Sequence, residues 1–335
     1  MFALGAVTDK MECVFTREKI EDEPSPKREG QHYRVIATDV LNPRALESDV
    51  QNSIVTEKID GTCCYVAEFE GIPCLWGRSA LKSSDRPPPK YWQPAATDDE
   101  GYPEVTKYGS VLGWVPVLEN TGTHKYHASA VNYGTNKVLL LKETDDGEDL
   151  EIALVPLANL LGRTVELIGS KINGNPYNLK PGFHVIVEHG AIRVKNPPEL
   201  NTGALKAWFS QPHGQVEGIV WHCSDGNMFK IHVTHLELLK PKRCDMYLSN
   251  RAVRVNVQDE TLTRKTTEDT PLTVSTLSLE NASKRLSRQE KKQHAKSAQK
   301  QRRRLQDMPS VLATVHGQRF SSLTEIDVDQ LKKMC

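Results

Sequence analysis

Strand-like segments follow one another along most of this 335-residue chain, without the regular alternation of strands and helices that a parallel sheet requires. They are rich in β-branched and aromatic residues, and turn-forming residues separate them. Examples are YRVIATDV from Tyr33, TVELIG from Thr164 and two runs within residues 53–69. Many strands with few helices favour the α+β class with largely antiparallel sheets.

Helical spacing is evident in residues 198–211, where Leu205, Trp208 and Phe209 recur on one helical face. The sequence therefore predicts a short amphipathic helix there, with Trp208 and Phe209 in the core rather than stacked on bases. Residues 82–110 are rich in proline and small polar residues, which predicts a long surface loop.

The length of the chain indicates one large domain with extensions. We predict an N-terminal extension at residues 1–34, a main domain at 35–255 and a polar, basic C-terminal extension at 256–335. No stretch approaches the about 18 apolar residues of a membrane span, and the seven cysteines lack the regular spacing of a disulfide framework. We expect a monomeric intracellular protein, cytoplasmic or nuclear, with reduced thiols and no membrane contact.

A strongly basic segment lies at residues 282–304, which hold ten Lys or Arg against one Glu, a net charge of +9. Because the whole chain has a net charge of zero, the remainder carries −9. Such a block is typical of a mobile segment that contacts RNA phosphates or a nuclear import receptor. The alternative is a solvated appendage without a partner.

The tetrapeptide Lys58-Ile59-Asp60-Gly61 lies between two strand-like runs. A K-x-D-G match is weak by itself, and its simplest interpretation is a strand end followed by an Asp-Gly turn. However, a lysine held at a structured bend can attack a phosphate once burial and neighbouring cations depress the pKa of its amine. Gly61 would permit close approach of the backbone at this bend.

A β-hairpin is predicted around Asp225-Gly226, which is a strong turn signal. If these two residues form the turn, paired positions place Lys230 opposite Trp221. Side chains alternate along a strand, so Trp221 and Glu217 share a face, and Lys230 joins them there. An acid that binds a metal ion and a base that binds phosphate on one face suit nucleotidyl transfer. A surface hairpin with unrelated charges is the alternative.

The position of Arg78 depends on the turn at Glu70-Gly71. A two-residue turn would place Arg78 opposite Cys63 and off the face of Lys58, whereas a three-residue turn would restore it. A zinc site is disfavoured near the hairpin, because neighbouring residues on a strand point to opposite faces and no ligand spacing fits. The residues considered for zinc are His222, Cys223, His232 and His235.

Five motifs occur in the order that the covalent nucleotidyltransferases use, and the chain resembles that superfamily of ATP-dependent DNA ligases, RNA ligases and capping enzymes. The motifs are K-x-D-G, LWGR with Arg78, TVELIG with Glu166, EGIV with Glu217, and FKIH with Lys230. Through roughly residues 10–255, the segments TEKIDGTCCYV, ELIGSKINGNPY and EGIVWHCSDG are similar to the 5′-to-3′ RNA ligases of vertebrates.

This resemblance implies a nucleotidyltransferase (ATP-grasp-like) domain of antiparallel sheets around a nucleotide cleft. It implies ATP and Mg²⁺, or Mn²⁺, as cofactors and RNA with 5′-phosphate and 3′-hydroxyl ends as the partner. The lysine would take AMP from ATP, AMP would pass to the RNA 5′-phosphate, and the 3′-hydroxyl would then expel AMP.

The resemblance also implies a role for each matching residue. Lys58 is the nucleophile, Glu166 binds the ribose and Glu217 orients the lysine and binds the metal. Lys230 contacts the α-phosphate and Arg78 lies near the reacting phosphates. The remaining residues expected at the nucleotide are Glu57, Asp60, Gly61 and His232, of which His232 stands where the superfamily commonly has a second lysine.

Two other functions remain open from the sequence. A DNA ligase or a capping guanylyltransferase would share the chemistry, but both normally add an OB-fold, and residues 250–335 show no run of five alternating strands. A non-catalytic nucleic-acid-binding relative is disfavoured because every motif side chain remains.

Overall fold

The computed structural model describes residues 11–21, 32–82, 87–98, 100–105, 109–119, 124–257 and 307–334. The basic segment 282–304 therefore lies outside the described residues. Within the described ranges, no helix has the length and apolar character needed to cross a bilayer. The cysteines in these ranges form no disulfide bonds.

Short strands make up most of the regular structure. They are β1 (Glu12–Cys13), β2 (Phe15–Glu21), β3 (Tyr33–Leu41), β4 (Ile54–Glu57), β5 (Thr62–Phe69), β6 (Ile72–Lys82), β7 (Gln93–Pro94), β8 (Ser110–Pro116), β9 (Val131–Asn132), β10 (Lys137–Glu143), β11 (Leu150–Pro156), β12 (Thr164–Gly169), β13 (His184–Glu188), β14 (Gly218–His222), β15 (Met228–His232), β16 (Val253–Asn256) and β17 (Arg319–Phe320).

The helices are short. They are α1 (Pro43–Glu47), α2 (Lys125–Ala128), α3 (Thr202–Phe209), α4 (Tyr247–Asn250), α5 (Asp307–Ala313) and α6 (Val328–Met334), with 3₁₀ turns at Val50–Asn52, Leu157–Leu160, Pro212–Gly214, Val233–Leu236 and Leu323–Glu325.

Three sheets organise the described chain. A large sheet has the order β17-β16-β11-β10-β13-β12-β5-β6-β8-β7 with β9 paired to β10, a small sheet has the order β1-β15-β14-β4, and β2 pairs with β3. Most neighbours are antiparallel, whereas β1–β15, β10–β13 and β11–β16 are parallel. The α+β class is confirmed, with mixed rather than purely antiparallel sheets.

The K-x-D-G segment connects the small sheet to the large one, because β4 ends at Glu57 and β5 begins at Thr62. Hydrogen bonds extend the ladder past the end of β4. The N–H of Lys58 donates to the carbonyl of Gly218 at 2.9 Å, and the N–H of Glu57 donates to the carbonyl of Ile192 at 2.9 Å. The lysine is therefore held by backbone pairing at a crossing between sheets.

The β14–β15 hairpin forms, but its predicted register is wrong by one residue. Val220, not Trp221, lies opposite Lys230. The N–H of Gly226 donates to the carbonyl of Cys223 at 3.1 Å, and Gly226 has φ of 85°. This is a type I turn followed by a left-handed glycine, a three-residue loop that Asp-Gly also suits. The extra loop residue shifts every pair of facing residues in the hairpin by one position.

Helix α3 is shorter than the predicted 198–211. The side chain of Asn201 accepts a hydrogen bond from the N–H of Ala204 at 2.7 Å and caps the helix. Trp208 and Phe209 are buried in the core with Leu205, as predicted. The predicted loop at 82–110 contains strand β7, which pairs with β8.

The predicted extensions contribute to the main fold. In residues 307–334, β17 pairs with β16, and buried side chains such as Leu312 and Ile326 join the core of the large sheet. At the other end, β1 lies parallel to β15 and pairs Cys13 with Lys230. Neither 1–34 nor 256–335 is thus wholly separate from the domain, because both supply strands and core residues that complete its sheets.

Candidate active site

Lys58 is paired with Glu217, which directly precedes β14. The distance from Lys58 Nζ to Glu217 Oε2 is 2.5 Å, and the two side chains are 27% and 12% exposed. Glu217 lies outside the strand, so the alternation of the hairpin does not set its direction. Strand pairing places Lys230 on the face of Val220, so the register that predicted a face shared with Glu217 does not form.

His232 binds the other oxygen of the same carboxylate. Its Nε2 lies 3.0 Å from Glu217 Oε1, while its Nδ1 accepts from the N–H of Thr234 at 3.2 Å. Because Nδ1 accepts, Nε2 carries the proton and donates it to Glu217. Both oxygens of Glu217 are therefore held, and the carboxylate is fixed in orientation towards Lys58.

The charges of this pair stabilise each other. Burial lowers the pKa of Lys58, but the charge and hydrogen bond of Glu217, together with the charges of Glu166 and Asp60, raise this pKa by more. For Glu217, burial raises the pKa, whereas the hydrogen bond from His232 and the charge of Lys58 lower it by more. In this state the lysine is an ammonium, so a reaction at Nζ requires the influence of Glu217 to be reduced.

Lys230 is the second lysine of the site and is held on β15. Burial and then the charge of Lys58 lower the pKa of Lys230 to about 8. The charges of Glu217, Lys58 and Lys230 thus act on one another as the motifs predict. At neutral pH the Lys230 amine remains a cation close to Lys58. An anion that approaches Lys58 would therefore also meet the charge of Lys230.

Asp60 and Gly61 are held by different strands and loops. The N–H of Asp60 donates to Tyr177 Oη at 2.8 Å, and its carboxylate contacts Asn173 and Lys240. A Cβ on Gly61 would lie 2.3 Å from the carbonyl oxygen of Leu167. Only glycine fits at this crossing between sheets, which confirms the close backbone approach expected from the sequence.

Replacing Tyr177 by phenylalanine is expected to lower stability by about 1–3 kcal/mol, because the buried N–H of Asp60 loses its acceptor. Each kcal/mol corresponds to about 2–4 °C in the thermal midpoint, which calorimetry measures. Tyr102→Phe is the matched control, since Tyr102 is 65% exposed. Equal midpoints for Tyr177→Phe and the wild type would contradict the role of this bond.

Glu166 connects the K-x-D-G segment to the large sheet. Its Oε1 accepts from the N–H of Gly61 at 3.1 Å, and its Oε2 lies 2.8 Å from Nε2 of His189. Its charge also raises the pKa of Lys58. The structure therefore brings Glu166 together with Lys58, as the motif order predicts.

Arg78 lies on the same face of the large sheet as Glu166. The two-residue turn at Glu70-Gly71 forms, and Arg78 is opposite Cys63 as predicted for that turn. Cys63 is in turn opposite Glu166, and directly paired residues in antiparallel strands point to one face. This register therefore places Arg78 on the face of the sheet that carries Glu166, whose charge acts on Lys58.

Cys63, between these two charges, is half-buried. Burial and the charge of Glu166 raise its pKa to about 12, although the charge of Arg78 acts in the opposite direction. The Cys63 side chain is therefore a neutral thiol in this structure.

Glu57 is buried rather than open to a ligand. It is 6% exposed, and burial raises its pKa to about 8, although the charge of Arg251 opposes this rise. Arg251 forms a buried ion pair with Glu143 at 2.6 Å. The structure thus places Glu57 in the interior beside this ion pair, while the neighbouring Lys58 reaches the site.

Sequence reasoning missed the groups that hold the motif residues. These are Asn173, Tyr177, His189 and Lys240. Two of them come from the INGNPYNLKPG loop, where three asparagines have positive φ. Asparagine tolerates this conformation, so the density of Asn and Gly was the available signal of a structured loop. His189 directly follows β13, but no local pattern shows that it meets Glu166.

Three carboxylates surround the lysine, since the charges of Glu217, Glu166 and Asp60 all raise the pKa of Lys58. Carboxylate oxygens are the ligands that Mg²⁺ and Mn²⁺ prefer. Glu217, whose carboxylate pairs with Lys58, offers oxygen ligands of this kind and is the predicted ligand. Mutually perturbed charges of this kind are typical of an enzyme active site.

Comparison with known proteins shows the family to which the chain belongs. The model of the RNA ligase 1 family matches residues 1–88 and 81–293. RNA ligase 1 of Danio rerio is 41% identical over 293 residues, which cover 77% of this chain and 90% of the relative. RNA ligase 1 of Mus musculus is 40% identical over 291 residues, which cover 77% of this chain and 88% of the relative. The chain belongs to the RNA ligase 1 family, and the resemblance inferred from the motifs is confirmed.

Proposed function

We propose that this enzyme is an ATP-dependent RNA ligase that joins a 5′-phosphate to a 3′-hydroxyl through a lysyl-AMP intermediate on Lys58. RNA ligase activity follows from membership of the family. The covalent mechanism is supported by one observation above all, the half-buried pair of Lys58 with Glu217 close to Lys230, which is also half-buried. We also propose that the two sheets around this site form a nucleotidyltransferase (ATP-grasp-like) domain.

In the first step, Lys58 Nζ attacks the α-phosphorus of ATP. The N–P bond forms as the bond to pyrophosphate breaks, and the amine releases its protons to solvent. Mg²⁺ or Mn²⁺ at the carboxylates would neutralise phosphate charge and attract Glu217. With Glu217 so engaged, burial and the charge of Lys230 favour the neutral amine of Lys58.

Lys230 would donate to the α-phosphate oxygens, where negative charge grows in the transition state. Glu166 would accept from the ribose hydroxyls, since it is already oriented by Gly61 and His189. Arg78 would contact the phosphates from the same face. His232 supplies no second lysine charge, and instead orients Glu217 through a hydrogen bond.

AMP then passes from Lys58 to the RNA 5′-phosphate, which forms a pyrophosphate-linked RNA and frees the amine. The 3′-hydroxyl of the second end attacks the RNA phosphorus, and AMP leaves as the new phosphodiester forms. Both later steps place phosphate groups where Lys230 and Arg78 contribute positive charge.

A ligation assay tests this proposal directly. RNA with a 5′-phosphate and a 3′-hydroxyl should be joined in the presence of ATP and Mg²⁺, whereas RNA with a 5′-hydroxyl should not. A DNA ligase would prefer the DNA counterpart, and a capping enzyme would use GTP. Joining of DNA ends in preference to RNA ends would contradict the proposed substrate, and a non-catalytic relative would join neither.

The basic segment is expected to increase the affinity for RNA of any sequence. Replacing the ten Lys and Arg of residues 282–304 with glutamine should weaken RNA binding at low salt. The log–log slope of affinity against salt should flatten by about 0.7 for each single-strand phosphate that the segment no longer neutralises. Filter binding across a salt series measures the RNA affinity of both proteins. If the curves of the wild type and the charge-replaced protein superimpose, the segment does not bind RNA and nuclear import remains as its role.

Charge replacement is preferable to truncation at residue 282, because residues 307–334 supply core side chains and strand β17. Truncation would therefore change the stability and the RNA contacts together. Labelling of the charge-replaced protein by ATP should equal that of the wild type, since the motif residues lie in other parts of the chain.

We propose further that the protein acts as a monomer in the cytoplasm or the nucleus. The free thiols of the described cysteines fit a reducing compartment. Light scattering in solution tests the oligomeric state.

A further inference from the structure

Three potential metal ligands of different chemistry meet beside the K-x-D-G segment. The Sγ of Cys63, a carboxylate oxygen of Glu166 and a ring nitrogen of His189 lie within 4.8 Å of one another. In the parts of the chain that the structure describes, no other three Cys, His, Asp or Glu ligand atoms meet in this way. Cys63 has no assigned role in the ligase chemistry above, and His189 has only that of orienting Glu166.

Regular backbone pairing brings these three residues together. Glu166 on β12 is directly opposite Cys63 on β5, so both side chains project to one face. His189 follows β13 on the other side of β12, and its N–H donates to the carbonyl of Thr164 at 3.2 Å. Its Nε2 then lies 2.8 Å from Glu166 Oε2. Two of the ligands therefore stand on paired strands of one sheet, and His189 lies in the turn directly after the neighbouring strand.

We propose that Cys63, Glu166 and His189 bind Zn²⁺ or a similar thiophilic divalent cation. Thiolate, imidazole and carboxylate are the three ligand types that zinc uses, with bonds of about 2.0–2.3 Å, whereas Mg²⁺ selects oxygen. Three protein ligands leave a fourth tetrahedral position for water. On binding, Sγ loses its proton to water as the sulfur–zinc bond forms, and His189 binds through its unprotonated nitrogen.

The consequence for catalysis depends on the proposed function. Glu166 cannot hold the zinc ion and also accept from the ribose of ATP in the same geometry. Zinc would therefore compete with nucleotide and hold the enzyme in its unlabelled state. Through Oε1 the same carboxylate accepts from the N–H of Gly61, next to the reacting lysine.

Cobalt provides a test of binding that does not depend on activity. Co²⁺ occupies zinc sites, and a thiolate ligand produces a charge-transfer absorption band. Titration of the full-length protein should give this band and saturate at about one equivalent. Cys63→Ser should abolish it, whereas Cys244→Ser, a change at an exposed free thiol, should leave it intact. A band that survives Cys63→Ser, or no band in the wild type, would overturn the proposed site.

A second assay tests the competition. Covalent labelling by ATP is measured at fixed Mg²⁺ while a metal buffer raises free Zn²⁺, and each variant is compared with its own zinc-free rate. Wild type and Cys244→Ser should lose at least tenfold in rate, and Cys63→Ser should resist. Equal inhibition of Cys63→Ser would overturn the inhibitory role. If no variant is labelled at all, the proposed function fails, whereas the cobalt result still decides the metal site.

Discussion

Replacing Lys58 by alanine is expected to abolish covalent labelling of the protein by α-labelled ATP. Lys58 Nζ is the amine held at the crossing between the two sheets. The hydrogen bond from the N–H of Lys58 to the carbonyl of Gly218 fixes the backbone of this residue. Lys230 is held on β15 by strand pairing on both sides, so it cannot take the place of Lys58 at the α-phosphorus. Denaturing gel electrophoresis measures the label, and α-labelled GTP should give none.

Lys142→Ala is the matched control for Lys58→Ala. Lys142 lies on β10 of the large sheet and forms a 3.2 Å ion pair with Glu151 at the surface. Loss of such a pair changes stability by about 1 kcal/mol or less, so labelling should remain at the wild-type level. Label retained in Lys58→Ala at a comparable rate would show that another residue is the nucleophile.

Glu217→Gln is expected to slow labelling by about 100- to 1,000-fold, the usual effect of removing one electrostatic contact to a transition state. The glutamine side chain keeps the shape and still accepts from His232, but it carries no charge for a metal ion. The two possible roles of Glu217 predict opposite changes in the rate of labelling. If Glu217 acted only to keep Lys58 protonated, its neutralisation would free the amine and labelling would become faster.

Glu237→Gln provides the control for the change from acid to amide. Glu237 is half-exposed and pairs with Arg34 at 3.1 Å on the surface, so labelling should be unchanged. Circular dichroism should show that Glu217→Gln remains folded, because the amide still occupies the space between Lys58 and His232. Faster or unchanged labelling by Glu217→Gln would refute its role in orienting Lys58 and binding the metal.

Local rules predicted most strands, because alternation and turn residues act over a few positions. They also predicted a turn at Glu70-Gly71 but left its length open; the two-residue form occurs, and both residues have positive φ. The same rules failed at Asp225-Gly226, since Asp-Gly suits both a two-residue loop and a type I turn with a left-handed glycine. The choice between these loops depends on how β14 and β15 pack against the core beneath Trp221 and Phe229.

The sequence by itself determined the strand-rich class and the order of the motifs, with Lys58 as the proposed nucleophile, because each motif is a local pattern. Only the tertiary structure decided which side chains meet. The contact of Lys58 with Glu217 spans 159 positions, and that of Glu166 with His189 spans 23. It also decided that residues 307–334 complete the large sheet. Such contacts depend on strand order and register across sheets, which arise from packing of the whole core rather than from any single segment.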